Sequence, residues 1–253
     1  MLTSTYIHIP RVGRTIEHKI WSHGIRTWGD FMEGHEKVPM SQPKRASIIE
    51  GLQESMDRLE AGDHRFFAKA LPSSEHWRAY RDFSDRVAYV DIETTGLSQN
   101  RDHMTVVGIY DGKTAKTYVR GIDLDDIVEE FEKYDLLVTF NGARFDLPFI
   151  KHEYPQIEFD QLHIDLMYPL RRIGLKGGLK KIEHDLGITR SDETTGITGF
   201  DAVRLWREYE RGSEEALDIL LEYNREDIVN LETILGKTHL EFIEKTFSAA
   251  LDK

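Results

Sequence analysis

The chain has 253 residues, of which 40% are apolar and 31% charged, with a formal net charge of −12 and a mean hydropathy of −0.48. That balance excludes a disordered polymer, and no stretch reaches the roughly 18 apolar residues of a membrane span. With no cysteine, disulfides, thiolate metal sites and cysteine nucleophiles are excluded, and the acidity argues against a broad basic footprint on nucleic acid.

The first 50 residues hold seven basic and five acidic side chains, so the surplus of acid lies further along the chain. Residues 1–34 read as a small helical element. One helix is expected over Thr15 to Trp21, broken at Ser22-His23-Gly24, and a second over Trp28 to Met32 under a Thr27 cap. Residues 35–85 read as a helical connecting region. Its breaks fall near Gly62-Asp63 and at Pro72-Ser73-Ser74, with Ser74 expected to cap a helix carrying Trp77 and Tyr80. From residue 86 the pattern turns to mixed α/β. Strands are expected over Arg86 to Glu93, Thr105 to Tyr110, Thr114 to Val119, Leu136 to Phe140 and Leu162 to Leu166. Asp111-Gly112 reads as a two-residue hairpin turn. Helices are expected over Leu124 to Tyr134, around Pro148 to His152, and in a long final helix capped by Ser213 and ended by Gly236. A three-strand meander followed by helix, strand, helix and strand makes a mixed five-stranded sheet flanked by helices.

Three features in the 86–253 segment carry candidate chemistry. In Asp91-Ile92-Glu93-Thr94-Thr95-Gly96 the two acids share one face of a strand. Side by side they repel, and a divalent cation with a preference for oxygen ligands relieves that conflict; taken alone, the pair also reads as two solvated acids. In the last helix, Ala216, Leu220, Tyr223, Asp227, Leu231 and Ile234 fall on one stripe. Asp227 therefore stands where an apolar residue is expected, and needs a partner. In Phe140-Asn141-Gly142-Ala143-Arg144-Phe145-Asp146, an apolar strand ends in a tight turn, and Asp146 enters a helix where a cap is the ordinary role.

Together and in this order, Asp-x-Glu, Asn-Gly-x-x-Phe-Asp and Tyr-x-x-x-Asp resemble the motifs of the DEDD superfamily of 3′–5′ exonucleases, which have a ribonuclease H-like fold. The resemblance spans residues 86–236. It is to the subgroup with Tyr in the third motif, since Glu222 stands where the other subgroup has His. Ile9-Pro10-Arg11-Val12-Gly13, Leu205-Trp206 and the stretch Leu221 to Asp227 look like the YprB-like branch of ribonuclease H-fold nucleases.

The resemblance implies a two-metal-ion phosphodiesterase using Mg²⁺ or Mn²⁺. Asp91, Glu93 and Asp227 would hold one ion, and Asp91 with Asp146 the second. Tyr223 would orient the attacking water, Thr94 and Thr95 would contact the 3′-terminal nucleotide, and Asn141 would shape the loop presenting Asp146. The expected substrate is single-stranded DNA or 3′ ends. RNA 3′-end trimming and a non-catalytic nucleic-acid or protein binding module are the alternatives. A basic run, Arg171, Arg172, Lys176, Lys180 and Lys181, either guides a strand's phosphates or is a solvated face. Ile9 to Gly13 resembles one hairpin of a helix-hairpin-helix element, with Arg11 where glycine is usual. It serves internal packing or DNA contact, and the N-terminal region is a candidate surface for a protein partner. A cytoplasmic location without membrane association is expected.

Overall fold

The computed structural model describes residues 1–251, with side chains as far as Ala249. The chain forms two compact units. One comprises Met1–Asp85, Asp160–Ile164 and the chain from His239 on; the other comprises Arg86–Phe159 and Asp165–Thr238.

In the first unit, α1 (Arg14–Ser22) and α2 (Trp28–Gly34) cover the two expected short helices. The Thr27 hydroxyl accepts from the Asp30 N–H while the Asp30 carboxylate accepts from the Thr27 N–H, a reciprocal cap that satisfies two donors at the helix start. Two further helices follow, α3 (Gln42–Glu60) and α4 (His64–Ala70), with the Asp63 side chain capping α4. The expected Ser74 cap is not formed. Pro72 occupies the cap position of a 3₁₀ segment, Ser73–Ala79, which runs on into α5 (Tyr80–Phe83). Trp21, Trp28, Phe31, Ile48, Leu52 and Phe67 are buried. Among them sits Arg78, 2% exposed, donating to Glu17 at 2.9 Å and to Glu75 at 2.7 Å.

The sheet consists of β1 (Val87–Thr94), β2 (Met104–Tyr110), β3 (Ala115–Val119), β4 (Leu136–Thr139) and β5 (Leu162–Asp165), in the order β3-β2-β1-β4-β5; β1 to β4 and Asp165 belong to the second unit. β1 and β2, and β2 and β3, pair antiparallel, while β1 and β4 pair parallel. Asp111 pairs with Thr114, so the hairpin tip is Gly112-Lys113, one residue beyond the expected turn; Gly112 has φ +86°. Between the strands lie α6 (Ile127–Phe131) and α7 (Asp146–Glu153). Then come α8 (Met167–Arg172), α9 (Leu179–Asp185) and α10 (Gly199–Tyr209), none of them expected, and the 38-residue α11 (Glu214–Leu251).

Strand alternation divides the packing. Ala88, Val90 and Ile92 face a core with Ile127, Phe131 and Phe149 of α6 and α7. On the other face Val106 and Val119 meet Ala202, Leu205 and Trp206 of α10 and Ala216, Leu220 and Tyr223 of α11. Asp91 and Glu93 alternate with the first set and so look toward α11. The stripe on α11 is buried from Ala216 to Ile234. α11 does not end at Gly236. Beyond it His239 and Phe242 are buried, with ring centroids 6.1 and 5.6 Å from that of Trp77, and this burial outweighs the roughly 1 kcal/mol that an interior glycine costs a helix.

Candidate active site

β1 delivers Asp91 and Glu93, and a bulge follows at once: Glu93 pairs with Val106 but Thr94 pairs with Met104, skipping Thr105. Bulges end regular pairing and re-aim the strand, and here the chain turns into the 95–103 loop. There Thr95 is engaged with His103, through backbone and hydroxyl, and the Thr94 hydroxyl donates to the Gly96 carbonyl at 2.6 Å. α11 delivers Tyr223 and Asp227 one turn apart. Carboxylate oxygens of Asp91, Glu93 and Asp227 all lie within 4.8 Å of one another. Three hard oxygen donors at this spacing, without nitrogen or sulfur, fit a Mg²⁺- or Mn²⁺-type cation.

Asp146 opens α7 and is 3% exposed. It is positioned by the turn before it. Asn141 adopts φ +66°, and its N–H and that of Ala143 donate to Asp165 at 2.8 and 3.1 Å. A Cβ at Gly142 would lie 2.4 Å from the Thr139 hydroxyl oxygen, so the turn needs glycine there. The Asp146 carboxylate accepts backbone N–H groups of Ile92 and of Asp146 itself.

The electrostatics are those of crowded acids. Burial, then the neighbouring carboxylates, hold Asp91 and Glu93 well above the ordinary carboxylate range. Burial pushes Asp146 up to about 7, against the pull of its backbone donors. It also raises Asp227 to about 6, with Arg190 pulling the other way. Burial and the same carboxylates raise Tyr223 far above its usual range, so its hydroxyl keeps its proton.

Two cations answer this charge. Lys180, the first-turn lysine of α9, donates from Nζ to the Tyr223 hydroxyl at 2.8 Å and lies 4.1 Å from the ring centroid. Arg190 pairs with Asp227 and with Glu183, the latter at 2.6 Å. Ser191 and Thr194 donate to Glu226, tying the same loop to α11. Of the five residues of the basic run, only Lys180 makes a described contact at this cluster. Arg171, Arg172, Lys176 and Lys181 are exposed, and Lys181 pairs with Asp185.

Asp91, Glu93 and Asp227 floor a cleft of about 510 Å³ lined also by Thr94, Leu97, Phe145, Thr198, Phe200 and Tyr223. Asp146, Thr95 and Asn141 are not among its lining residues, and Asp146 stands outside the group of three clustered carboxylates. Leu97 and Phe200 are 81% and 87% exposed. Phe200 stands in the first turn of α10, under a reciprocal Thr198–Asp201 cap. That Thr-x-x-Asp pattern is the signal by which α10 could have been found. Arg190 and Phe200 lie outside the expected site residues, and for Arg190 no local pattern marks the residue.

A family model described as RNase_H superfamily matches residues 88–239. The chain belongs to the RNase_H superfamily. Its match covers the strand and the two helices that carry Asp91, Glu93, Asp146, Tyr223 and Asp227, so the RNase_H superfamily domain and the carboxylate cluster coincide. Among solved structures, it is similar to the family B DNA polymerase of the hyperthermophilic archaeon Pyrobaculum calidifontis, at 18% identity and TM-score 0.48, over 60% of this chain and 24% of that one. It is also similar to Brucella melitensis NrnC, at 21% identity and TM-score 0.45, over 68% and 82%. The chain thus spans about a quarter of the polymerase. No curated protein matches it. Among the described residues, no helix is long and apolar enough to cross a membrane.

Proposed function

We propose that this chain is a metal-dependent 3′–5′ exonuclease of the DEDD type, with Tyr in its third motif, acting on single-stranded DNA or on 3′ ends. The observation that carries the reading is the convergence of Asp91, Glu93 and Asp227 within 4.8 Å at the floor of an open cleft. Asp91, Glu93 and Asp227 would hold one divalent cation, and Asp91 with Asp146 a second. When bound, such cations activate water and offset charge at the leaving oxygen.

The chain's own groups supply the rest. Lys180 donates to the Tyr223 oxygen, and burial beside the acids keeps the Tyr223 hydroxyl protonated, so that it has one proton to donate. Tyr223 is therefore a positioning donor and not a base. Arg190 fixes one oxygen of Asp227, which sets the direction of the other. At the rim, Leu97 and Phe200 leave apolar surface in water. Apolar and aromatic side chains beside a cleft suit unstacked bases, which favours a single strand over a paired duplex. The net charge of −12 does not oppose this, because bound cations place positive charge where the phosphate arrives.

The test is incubation of 5′-labelled single-stranded DNA, duplex DNA and RNA with Mg²⁺, Mn²⁺ or EDTA. A 3′-shortening ladder on single-stranded DNA, abolished by EDTA, is the expected outcome. A ladder on RNA alone would move the substrate to RNA. No cleavage with either metal would overturn the reading.

A further inference from the structure

We infer that Asn224 is a positioning residue for Asp91, and that Gly108 is glycine in order to make room for it. Asn224 follows Tyr223 on α11 and is fully buried. Its amide nitrogen donates to Asp91 twice, to the carboxylate Oδ2 at 3.1 Å and to the backbone carbonyl at 3.3 Å. One group thereby ties both the side chain and the strand of the same acid, leaving Oδ1 as the free oxygen.

The amide oxygen explains the glycine. Gly108 is the residue directly opposite Asp91 across the β1–β2 pairing. Residues opposite one another share a face, so a side chain at 108 would stand beside Asp91 on the α11 side. A Cβ there would lie 2.1 Å from Asn224 Oδ1 and 3.1 Å from Ile228 Cγ2. The Oδ1 atom is buried without a hydrogen-bond donor. Turning the amide over would give that oxygen room for no better partner and would set it against the Asp91 carboxylate. The orientation is therefore dictated by Asp91, at the expense of an unpaired oxygen. Such a cost is tolerated where it holds an acid that its neighbours repel: Glu93, Asp146 and Asp227 all bear on Asp91. Partners that orient a metal-binding carboxylate commonly carry 10–100-fold of the metal affinity.

The inference rests on the cation-binding reading of the cluster, and its test separates the two. Mn²⁺ binding is measured by calorimetry on the full chain and on Asn224→Ala, Gly108→Ala and the double variant, with melting temperatures alongside. Asn224→Ala is expected to weaken Mn²⁺ binding by about 10–100-fold and to lower kcat at unchanged KM for an oligonucleotide. Gly108→Ala, which leaves the amide in place but takes its space, is expected to weaken binding similarly. The double variant should be no worse than Asn224→Ala, because the new methyl group then enters vacated space. Mn²⁺ binding at the original strength in Asn224→Ala would overturn the role of Asn224. A Gly108→Ala loss that persists in full in the double variant would overturn the role of Gly108. Absence of Mn²⁺ binding by the unaltered chain would sink the cation reading itself, and this inference with it.

Discussion

The two units each bury a charge cluster, and the clusters are built on opposite principles. In the first, Arg78 lies between Glu17 and Glu75, Arg14 adds a second cation on Glu75, and Glu17 also accepts the Tyr6 N–H. Burial pushes Glu17 up, and Arg78 draws it back. Cations and acids are matched in number, so the charge of the cluster is balanced as the chain folds, although Glu17 Oε2 is left without a hydrogen-bond donor among the described residues. In the second, four buried acids, Asp91, Glu93, Asp146 and Asp227, meet two cations: Arg190, which pairs with Asp227 but also with Glu183 and Glu226, and Lys180, which bears on Glu93 and Asp227. Acids outnumber cations, and the four carboxylates rise well above their usual range. Matched buried charge holds a fold together, whereas unmatched buried charge is tolerated where a ligand of the opposite sign is to be received.

Substitutions in the two clusters should part accordingly. Asp91→Ala should cut nuclease activity by at least about 10³-fold, as loss of a transition-state contact does, while leaving the melting temperature of the metal-free protein unchanged or higher. Full activity in a folded Asp91→Ala protein would break the distinction. Arg78→Met should do the reverse. It strands Glu17 and Glu75 and should cost about 3–5 kcal/mol in denaturant unfolding.

A third expectation concerns pH. Asp146 titrates near 7 in the folded metal-free chain against an ordinary value of 3.8. Its folded value is the higher, so its contribution is present below 3.8 and is lost as pH rises through about 7. Asp146→Asn in EDTA should therefore gain several degrees of melting temperature over the unaltered chain between those limits, and no more above them. A constant difference across that range would refute it. The smallest effect is expected from Phe200→Ala. A lost stacking platform, about 1–3 kcal/mol per base, should raise KM for a single strand about tenfold or more at unchanged kcat. An equal effect on duplex ends would argue against stacking.

The pieces of this site were legible because its residues sit on regular elements, while their grouping, Asp146 included, came from the resemblance of the three motifs taken in order. Strand alternation alone put Asp91 and Glu93 together, and the 3.6-residue stripe exposed Asp227 as an acid in an apolar row. The region from 166 to 198 was not legible. Its helices α8 and α9 are six and seven residues long, too short for a stripe to emerge, and Gly174, Gly177 and Gly178 between them read as loop. Asn224 and Arg190 stayed hidden for a different reason. Their partners lie 133 and 37 residues away along the chain, and no local pattern records a contact made only by folding. Gly236 misled for the converse reason: a terminator by local rule lies inside a helix held by burial further on.

That glycine has a consequence for how α11 opens. It sits two residues before Thr238, where the helix passes from one compact unit to the other, and a Cβ there would meet nothing within 4 Å. The helix therefore presents no side chain for packing at this point. In native-state hydrogen exchange, amides up to the seam should follow the protection of the carboxylate-bearing unit, and those beyond it the protection of the unit around Trp77. One uninterrupted helix would then report two separate opening free energies, and added divalent cation should slow exchange only on the Asp227 side.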